Sequence, residues 1–234
     1  MWLVLCHCSD LAAIWAFEGL KALGMGPLEL VSAESLAFSL KWEHRIRANS
    51  ASFRIVLADG REIAGEKVLG AVNRLQFVPL PHWHSASPQD QSYVGQEMMA
   101  FYTSWLFSLP GQVLNPATPA GLSGALRRPL EWMRLALQAG LPTAGHQADR
   151  SSLPASPTKR SVIVVDGVTP PDTPYPEACA KLAEISKTPL LGITFTMVAD
   201  GTWRFHEANT MPDLRLGGPS LLNAMKASLE RGLQ

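Results

Sequence analysis

Long apolar runs, paired cysteines and an excess of charge of either sign are all missing from this sequence of 234 residues. No stretch approaches the roughly 20 apolar residues that a membrane-spanning helix needs. The chain opens with five apolar residues, MWLVL, and no basic segment precedes them, so we expect no secretory signal peptide. Three cysteines, an odd number, fit a reducing compartment, and we predict a cytoplasmic protein.

Charge is balanced as well as sparse. Twenty Lys and Arg residues offset twenty Asp and Glu residues, and only 17% of the chain is charged. This balance argues against nucleic acid and against an anionic membrane as partners. Seven Trp and eight Phe residues accompany the low charge, so we expect another chain to cover part of the apolar surface. The covering chain is either a second copy, which makes a homo-oligomer, or a heterologous protein.

Signatures of common cofactor sites are weak. No GxGxxG motif follows the first predicted strand, so the dinucleotide-binding fingerprint is missing. Cys6-His7-Cys8 suggests a metal site, but adjacent strand residues point to opposite faces and no second ligand pair follows. We therefore favour ordinary buried thiols there. His82 and His84 have no carboxylate beside them, so a metal site is the weaker interpretation of that loop.

The N-terminal half predicts a strand, helix and strand in quick succession. Trp2 to Cys8 is a buried strand, Asp10 to Leu23 is an amphipathic helix capped by Ser9 or Asp10, and Leu28 to Val31 is a second strand. This spacing favours a parallel sheet with helices packed on it. By contrast, the charged stretch Lys41 to Arg45 is predicted to be a solvated loop or a helix end.

The stretch from Leu191 to Gly218 organises the C-terminal half. Two alternating runs surround Asp200-Gly201, a dipeptide favoured in two-residue hairpin loops. With that loop, Thr194 faces Glu207 and Gly192 faces Asn209 across the hairpin, and the side chains of Thr194 and Glu207 share one face of the sheet with Asn209. A carboxylate and an amide oxygen side by side are hard ligands suited to magnesium bound to phosphates.

The string Glu207-Ala208-Asn209-Thr210-Met211-Pro212 resembles the closing magnesium motif of ATP-grasp enzymes, a superfamily of carboxylate–amine ligases that includes peptide ligases. Shorter resemblances precede it in the family's order: Asn73-Arg74, Val113 to Pro116, Leu141-Pro142-Thr143 and the strand Ser161 to Val168. The resemblance implies an α/β fold with a pre-ATP-grasp αβ domain over residues 1–115 and an ATP-grasp module over 116–234. The fifteen residues from Gly145 to Lys159 form a Ser/Pro/Ala-rich linker. They are too few to form the small subdomain that clamps nucleotide in the family, so the module is predicted to be truncated.

The resemblance also implies a set of site residues. Magnesium would be held by Glu207 and Asn209, nucleotide phosphate by Lys159, Arg160 and Arg128, and acyl substrate by Asp213, Gly217, Gly218 and Ser220. No catalytic residue is assigned. Two of these assignments have simpler explanations. For Arg128 we favour an exposed helix start without a ligand, and Gly217, Gly218 and Ser220 fit a glycine-bearing turn capped by Ser220. Thr194 stands where the family carries an acidic residue that completes the metal site together with the Glu and the Asn, and a neutral hydroxyl cannot replace a carboxylate charge.

Two hypotheses on function follow from this resemblance. The first is an ATP-grasp-like protein that has lost its ATP-dependent ligase activity and acts as a binding or partner subunit, with a small carboxylate or a peptide in the old cleft. The alternative is a minimal ATP- and Mg-dependent carboxylate–amine (peptide) ligase whose nucleotide clamp is completed by another chain or by substrate. The missing subdomain is expected to expose an apolar wall around Phe195, Met197 and Phe205. That wall is where we expect the covering chain to pack.

Overall fold

The computed structural model describes residues 1–81, 85–143 and 158–232. Contacts divide the chain into two units, one formed by Met1–Ala125 with Lys226–Gln234 and the other by Leu126–Met225. The domain boundary expected at residues 115/116 stays a prediction. His82 and His84, and most of the expected linker (145–157), lie outside the described residues.

The first unit contains a parallel sheet and a smaller antiparallel sheet. Its elements are β1 Trp2–Cys6, α1 Leu11–Ala22, β2 Leu28–Ser32, α2 Ala33–Ala37, β3 Lys41–Arg47, β4 Ser50–Val56, β5 Glu62–Ala64, β6 Gly70–Asn73, α3 Pro88–Phe107 and β7 Gln112–Leu114. The parallel sheet has the strand order β2-β1-β6-β7, and the antiparallel sheet has the order β3-β4-β5. The strand–helix–strand start and its parallel pairing are therefore confirmed.

Local chemistry explains how the first unit begins. β1 is buried along its whole length, as a central strand of a covered parallel sheet should be. The Asp10 carboxylate accepts a hydrogen bond from the backbone N–H of Ala13 at 3.0 Å and so caps α1. After α1 the chain turns at Gly24, whose φ of +78° is accessible to glycine at little cost.

Cys6, His7 and Cys8 are only partly as expected. Cys6 is buried, and burial, reinforced by the nearby charge of Asp10, raises the pKa of its thiol to about 12. Cys8 is exposed just beyond the end of β1. The His7 ring lies between two partners: its Nδ1 is 3.4 Å from a Glu34 carboxylate oxygen, and its Nε2 accepts from the backbone N–H of Gln76 at 3.2 Å. Both ring nitrogens are thus engaged within the fold.

The expectation for Lys41 to Arg45 is wrong, because these residues lie in β3, paired antiparallel with β4. Trp42 packs against aromatic side chains of α3, with its ring centroid 4.9 Å from that of Trp105. The His44 ring bonds the Ser104 hydroxyl of the same helix at 3.0 Å. Alternation of these two inward aromatic residues with outward charged ones was a strand signal that the charge content obscured.

The second unit is built on a three-stranded antiparallel sheet. Its elements are α4 Pro129–Ala139, β8 Lys159–Val165, α5 Pro176–Ser186, β9 Leu190–Met197, β10 Trp203–Asn209 and a short 3-10 turn over Leu214–Gly217, followed by α6, Gly218–Arg231. The sheet order is β10-β9-β8, so β9 is central. Among the described residues, no helix has the length and apolar character needed to cross a membrane.

One face of this sheet, which we call the closed face, packs against α4 and α5. Its core includes Val162, Val164, Leu191, Ile193, Phe195, Phe205 and Ala208, together with Trp132, Leu182 and neighbouring residues of the two helices. Phe195 and Phe205 are 0% and 2% exposed. The expectation that these two rings form an exposed wall is therefore wrong, because the helices of the same unit already cover them.

Candidate functional site

The hairpin of β9 and β10 pairs Glu207 with Thr194 and Asn209 with Gly192, as predicted. The route to that register differs from the one predicted. The loop has three residues rather than two, closed by a hydrogen bond from the Gly201 N–H to the Val198 carbonyl, with Gly201 at φ +82°. A bulge at His206 then shifts the register by one residue and restores the predicted pairs.

The opposite side of the sheet, which we call the open face, carries its outward side chains in three rows. Across β8, β9 and β10 the rows are Ile163–Gly192–Asn209, Ser161–Thr194–Glu207 and Lys159–Thr196–Arg204. Directly paired residues on neighbouring strands share a face, so the members of each row lie side by side. Successive rows are two residues apart along a strand, which is roughly 7 Å.

The first row is closed by the chain that follows β10. A Cβ at Gly192 would lie 2.7 Å from Cβ of Pro212, so this position accepts only glycine without displacing Pro212. The side chain of Asn209 bonds Met211 twice, through its oxygen to the backbone N–H at 2.6 Å and through its nitrogen to the carbonyl at 3.1 Å. A cavity of about 100 Å³ lies beside these residues, and both Thr194 and Glu207 line it.

The second row holds the predicted magnesium ligand Glu207. Its carboxylate is exposed and has no hydrogen bond or ion pair within the described ranges. The two other members, Ser161 and Thr194, contribute neutral hydroxyls. Glu207 with the Asn209 oxygen fits one hard divalent cation, because the second lone pair of that oxygen remains after its bond to Met211. Over residues 1–81, 85–143 and 158–232, no three His, Cys, Asp or Glu side chains form a metal-binding group.

The third row brings two cations to one hydroxyl. Lys159 and Arg204 lie on either side of Thr196, and Lys159 Nζ is 3.3 Å from Nε2 of His206. Of these four residues the sequence predicted only Lys159 as part of the site. The others were missed because Arg204 and Thr196 belong to no motif, and the bulge that presents His206 has no glycine or proline to mark it.

Arg160 and Arg128 do not join Lys159 on the open face. Arg160 pairs with Phe195, which belongs to the closed face, so its side chain starts from the opposite side of the sheet. Arg128 is exposed at the start of α4, where its backbone N–H donates to the Glu131 carboxylate at 2.7 Å. The exposed helix start favoured for Arg128 matches this position.

The loop after β10 is held by contacts of its own. The Asp213 carboxylate accepts two hydrogen bonds from the Arg215 guanidinium, at 2.7 and 2.8 Å. A Cβ at Gly217 would come within 2.6 Å of the Leu221 side chain, so close packing alone requires this glycine. Gly218, at φ +57°, begins α6, and Ser220 is exposed within that helix rather than before it. The role of these residues toward substrate stays a prediction.

Comparisons with known proteins place this geometry among solved structures. No protein-family model matches the sequence, and no curated protein matches it. The macrocyclase MdnC from Microcystis aeruginosa MRC, bound with precursor peptide MdnA, is similar at a TM-score of 0.76 and 12% identity, with 99% of each chain covered. ATP-grasp ligase PsnB, complexed with minimal precursor, Mg and ADP, gives 0.70 and 16%, with 98% of each chain covered.

A third structure, a RiPP-associated ATP-grasp ligase from Chryseobacterium gregarium in complex with ADP and a leader and core peptide, gives a TM-score of 0.69 at 10% identity. It covers 99% of this chain and 96% of its own. At these identities the likeness concerns the fold. The order of elements, the open-faced hairpin with Glu207 and Asn209, and these three matches agree. The chain has the α/β fold of the ATP-grasp superfamily, as the resemblance implied.

Proposed function

We propose that this chain is an ATP- and Mg-dependent carboxylate–amine ligase that acts on a peptide. The observation that carries the proposal is the open face itself, where the acid and amide of Glu207 and Asn209 lie on the same side of one sheet as Lys159. Fold neighbours that are ATP-grasp ligases support the reaction class. Their crystallisation with precursor peptides supports a peptide as the substrate.

In the proposed reaction, the substrate carboxylate takes the terminal phosphoryl group of ATP and releases ADP. An amine then attacks the activated carbonyl carbon, phosphate leaves, and the amine proton passes to solvent. Glu207 and Asn209 would orient the phosphates through a magnesium ion, which when bound neutralises part of their negative charge. Lys159 would hold a phosphate oxygen. Positioning and charge neutralisation are the main contributions that such a transfer requires from protein.

A bound peptide or another chain would complete the cover over the nucleotide. The open face is accessible to such a partner, because Lys159, the first residue of β8, and Glu207 are both exposed. A partner that covers this face would exclude water and strengthen the interaction of each charged group with phosphate. The covering chain is either a second copy, which makes a homo-oligomer, or a heterologous protein. The domain boundary at residues 115/116 is also part of the proposal.

A second function, a partner subunit without ligase activity, is favoured by one observation. The residue directly opposite Glu207 is Thr194, and the residue opposite Thr194 on β8 is Ser161. The second row thus holds a single negative charge beside two neutral hydroxyls. A site of this kind binds a divalent cation more weakly than one with two carboxylates.

Calorimetric titration of the purified chain with Mg·ADP distinguishes the two functions. The ligase proposal predicts saturable binding with a dissociation constant in the micromolar range, worth roughly 8 kcal/mol. Glu207→Ala should abolish that binding, because it removes the only carboxylate of the second row. Glu184→Ala, on α5 and away from the open face, is the matched control and should bind as the unchanged chain does.

The absence of Mg·ADP binding at millimolar concentration would reject the ligase and favour the partner subunit. Equal loss in Glu207→Ala and Glu184→Ala would show that the carboxylates act through folding rather than at the site. Circular dichroism of both variants at the titration temperature separates these two results.

A further inference from the structure

The outer face of α3 carries an open groove of about 820 Å³. Two ridges of the helix line it, and within each ridge the side chains are four residues apart. The first ridge consists of Gly95, Met99, Thr103 and Phe107. The second ridge consists of Ser92, Gln96, Ala100 and Ser104. Ridges with this spacing are the ones through which helices most often pack on each other, at crossing angles of about −50°.

The first ridge leaves two large apolar side chains in solvent. Phe107 is 59% exposed and Met99 is 39% exposed. Residues 98–107 carry no charge, and the two charged residues of α3, Asp90 and Glu97, do not line the groove. A partner with charged side chains at this surface would lose their hydration without gaining a counter-charge, whereas a second copy of the chain brings the same uncharged face.

The hydroxyls of this face already have partners within the chain. The Thr103 hydroxyl donates to the backbone carbonyl one turn earlier at 2.7 Å, and the Ser104 hydroxyl shares a hydrogen bond with Nε2 of His44 at 3.0 Å. The Ser92 hydroxyl accepts from the Gln96 side-chain amide at 3.4 Å. Burial of a polar group is costly mainly when its hydrogen bonds are lost. A partner can therefore cover these hydroxyls at little cost.

Gly95 lies in the interior of α3, where glycine is less favourable than alanine. Among the residues that the structure describes, a Cβ at this position would meet only a side-chain carbon of Leu80, at 3.6 Å. That is an ordinary van der Waals distance, so nothing in the described part of the chain requires glycine here. The close approach of a second helix backbone would require it.

We infer that the outer face of α3 is the interface of a two-fold symmetric dimer formed by two copies of this chain. A two-fold axis between Met99 and Ala100 places the first ridge of each copy against the second ridge of the other, in reverse order. The facing pairs are Phe107 with Ser92, Met99 with Ala100, Thr103 with Gln96, and Gly95 with Ser104. Each large apolar side chain thus faces a small residue, so the ridges of the two copies can interlock. None of these residues belongs to the sheet β8–β10, so the inference does not rest on the proposed function.

Sedimentation velocity of the full chain over a micromolar range of concentration tests the interface. The unchanged chain is expected to sediment as a dimer. Ala100→Glu puts two like charges beside the axis, so the dissociation constant of the dimer should rise about a hundredfold. Gln89→Glu is the matched control, because it adds the same charge to an exposed position of the same helix outside the groove. It should leave the dissociation constant unchanged.

Exchange of one facing pair tests how the ridges align. Ser92→Phe places a phenyl ring opposite another ring, Phe107→Ser leaves serine opposite serine, and each change should weaken the dimer about tenfold. The double variant, Ser92→Phe with Phe107→Ser, again places a ring opposite a serine in both copies. Its dissociation constant should therefore return to within about threefold of that of the unchanged chain. A purely structural role of these two exposed side chains would give no such recovery.

Several results would overturn the inference. A chain that stays monomeric at about 100 μM would reject the dimer and leave the groove to a different protein. Equal weakening by Ala100→Glu and Gln89→Glu would mean general charge repulsion. A dimer that none of these changes affects would form through another surface, such as the open face. Failure of the double variant to recover, with an unchanged circular dichroism spectrum, would reject the two-fold alignment at Met99 and Ala100.

Discussion

The two faces of the sheet β8–β10 are made from alternate residues of the same strands, yet they have opposite characters. Phe195 on the closed face is fully buried among helix side chains, whereas its neighbour Thr194 faces the carboxylate of Glu207 on the open face. The closed face is apolar and the open face is polar, with charged side chains in its second and third rows. This division implies that stability and chemistry can be altered separately, one face at a time.

The largest effect is expected on the closed face. Phe195→Ala should reduce the free energy of unfolding by about 3–5 kcal/mol, because it removes a fully buried ring and leaves a cavity. Thr194→Ala, one residue away and half-buried on the open face, should change it by less than about 1 kcal/mol. Urea denaturation of the two variants measures both values. Similar losses would contradict the separation of the faces.

The alternation that separates the faces was readable in the sequence, and so was the pairing of Thr194 with Glu207. Strand period alone puts Phe195 on the face opposite Thr194, so an exposed Phe195 wall beside the predicted magnesium site conflicted with the predicted register. The sequence could not show that α4 and α5 cover this face, because helix packing depends on contacts between distant segments.

The hairpin loop shows a different limit. Asp200-Gly201 is compatible with a two-residue loop or with a three-residue loop that has Gly201 in the left-handed region, and the structure has the second. The predicted loop is one residue too short, and the bulge at His206 compensates for this difference. The predicted strand pairs are therefore correct although the predicted loop is wrong. The same bulge presents His206 to Lys159, which is why the third row could not be predicted from the motif that revealed the second.

A middle-sized effect is expected when the open face is given a second carboxylate. Thr194→Asp places an acid directly opposite Glu207, and like charges in such pairs are destabilising by roughly 0.2–1 kcal/mol. Magnesium should reverse the loss, because two carboxylates with Asn209 make a stronger oxygen site. Thermal unfolding with EDTA and with magnesium measures the reversal.

Thr194→Asn is the control for that change, since it keeps the shape of aspartate without its charge. Its melting temperature should not respond to magnesium more than that of the unchanged chain. A magnesium response of equal size in both variants would show that the cation acts elsewhere, and the open face would then lose its assignment as the metal side of the sheet.

The smallest effect concerns the hairpin loop that joins the two strands. Hydrogen bonds from the Thr202 hydroxyl at 2.6 Å and from its backbone N–H at 2.8 Å, with the charge of Arg204 nearby, lower the pKa of Asp200. The folded-state pKa is thus below the unfolded one, so the ionised carboxylate stabilises the fold above the unfolded pKa. That stabilisation is lost as the pH falls through the folded-state pKa.

Asp200→Asn should therefore lower stability slightly at neutral pH, and the difference from the unchanged chain should shrink below about pH 4 and vanish in stronger acid. Urea denaturation at several pH values measures the difference, with Asp172→Asn, another exposed turn carboxylate, as the control for loss of one surface charge. A difference that stays constant into acid would mean that the amide fails to replace the carboxylate as an acceptor, and that charge has no part in holding the loop between the two strands.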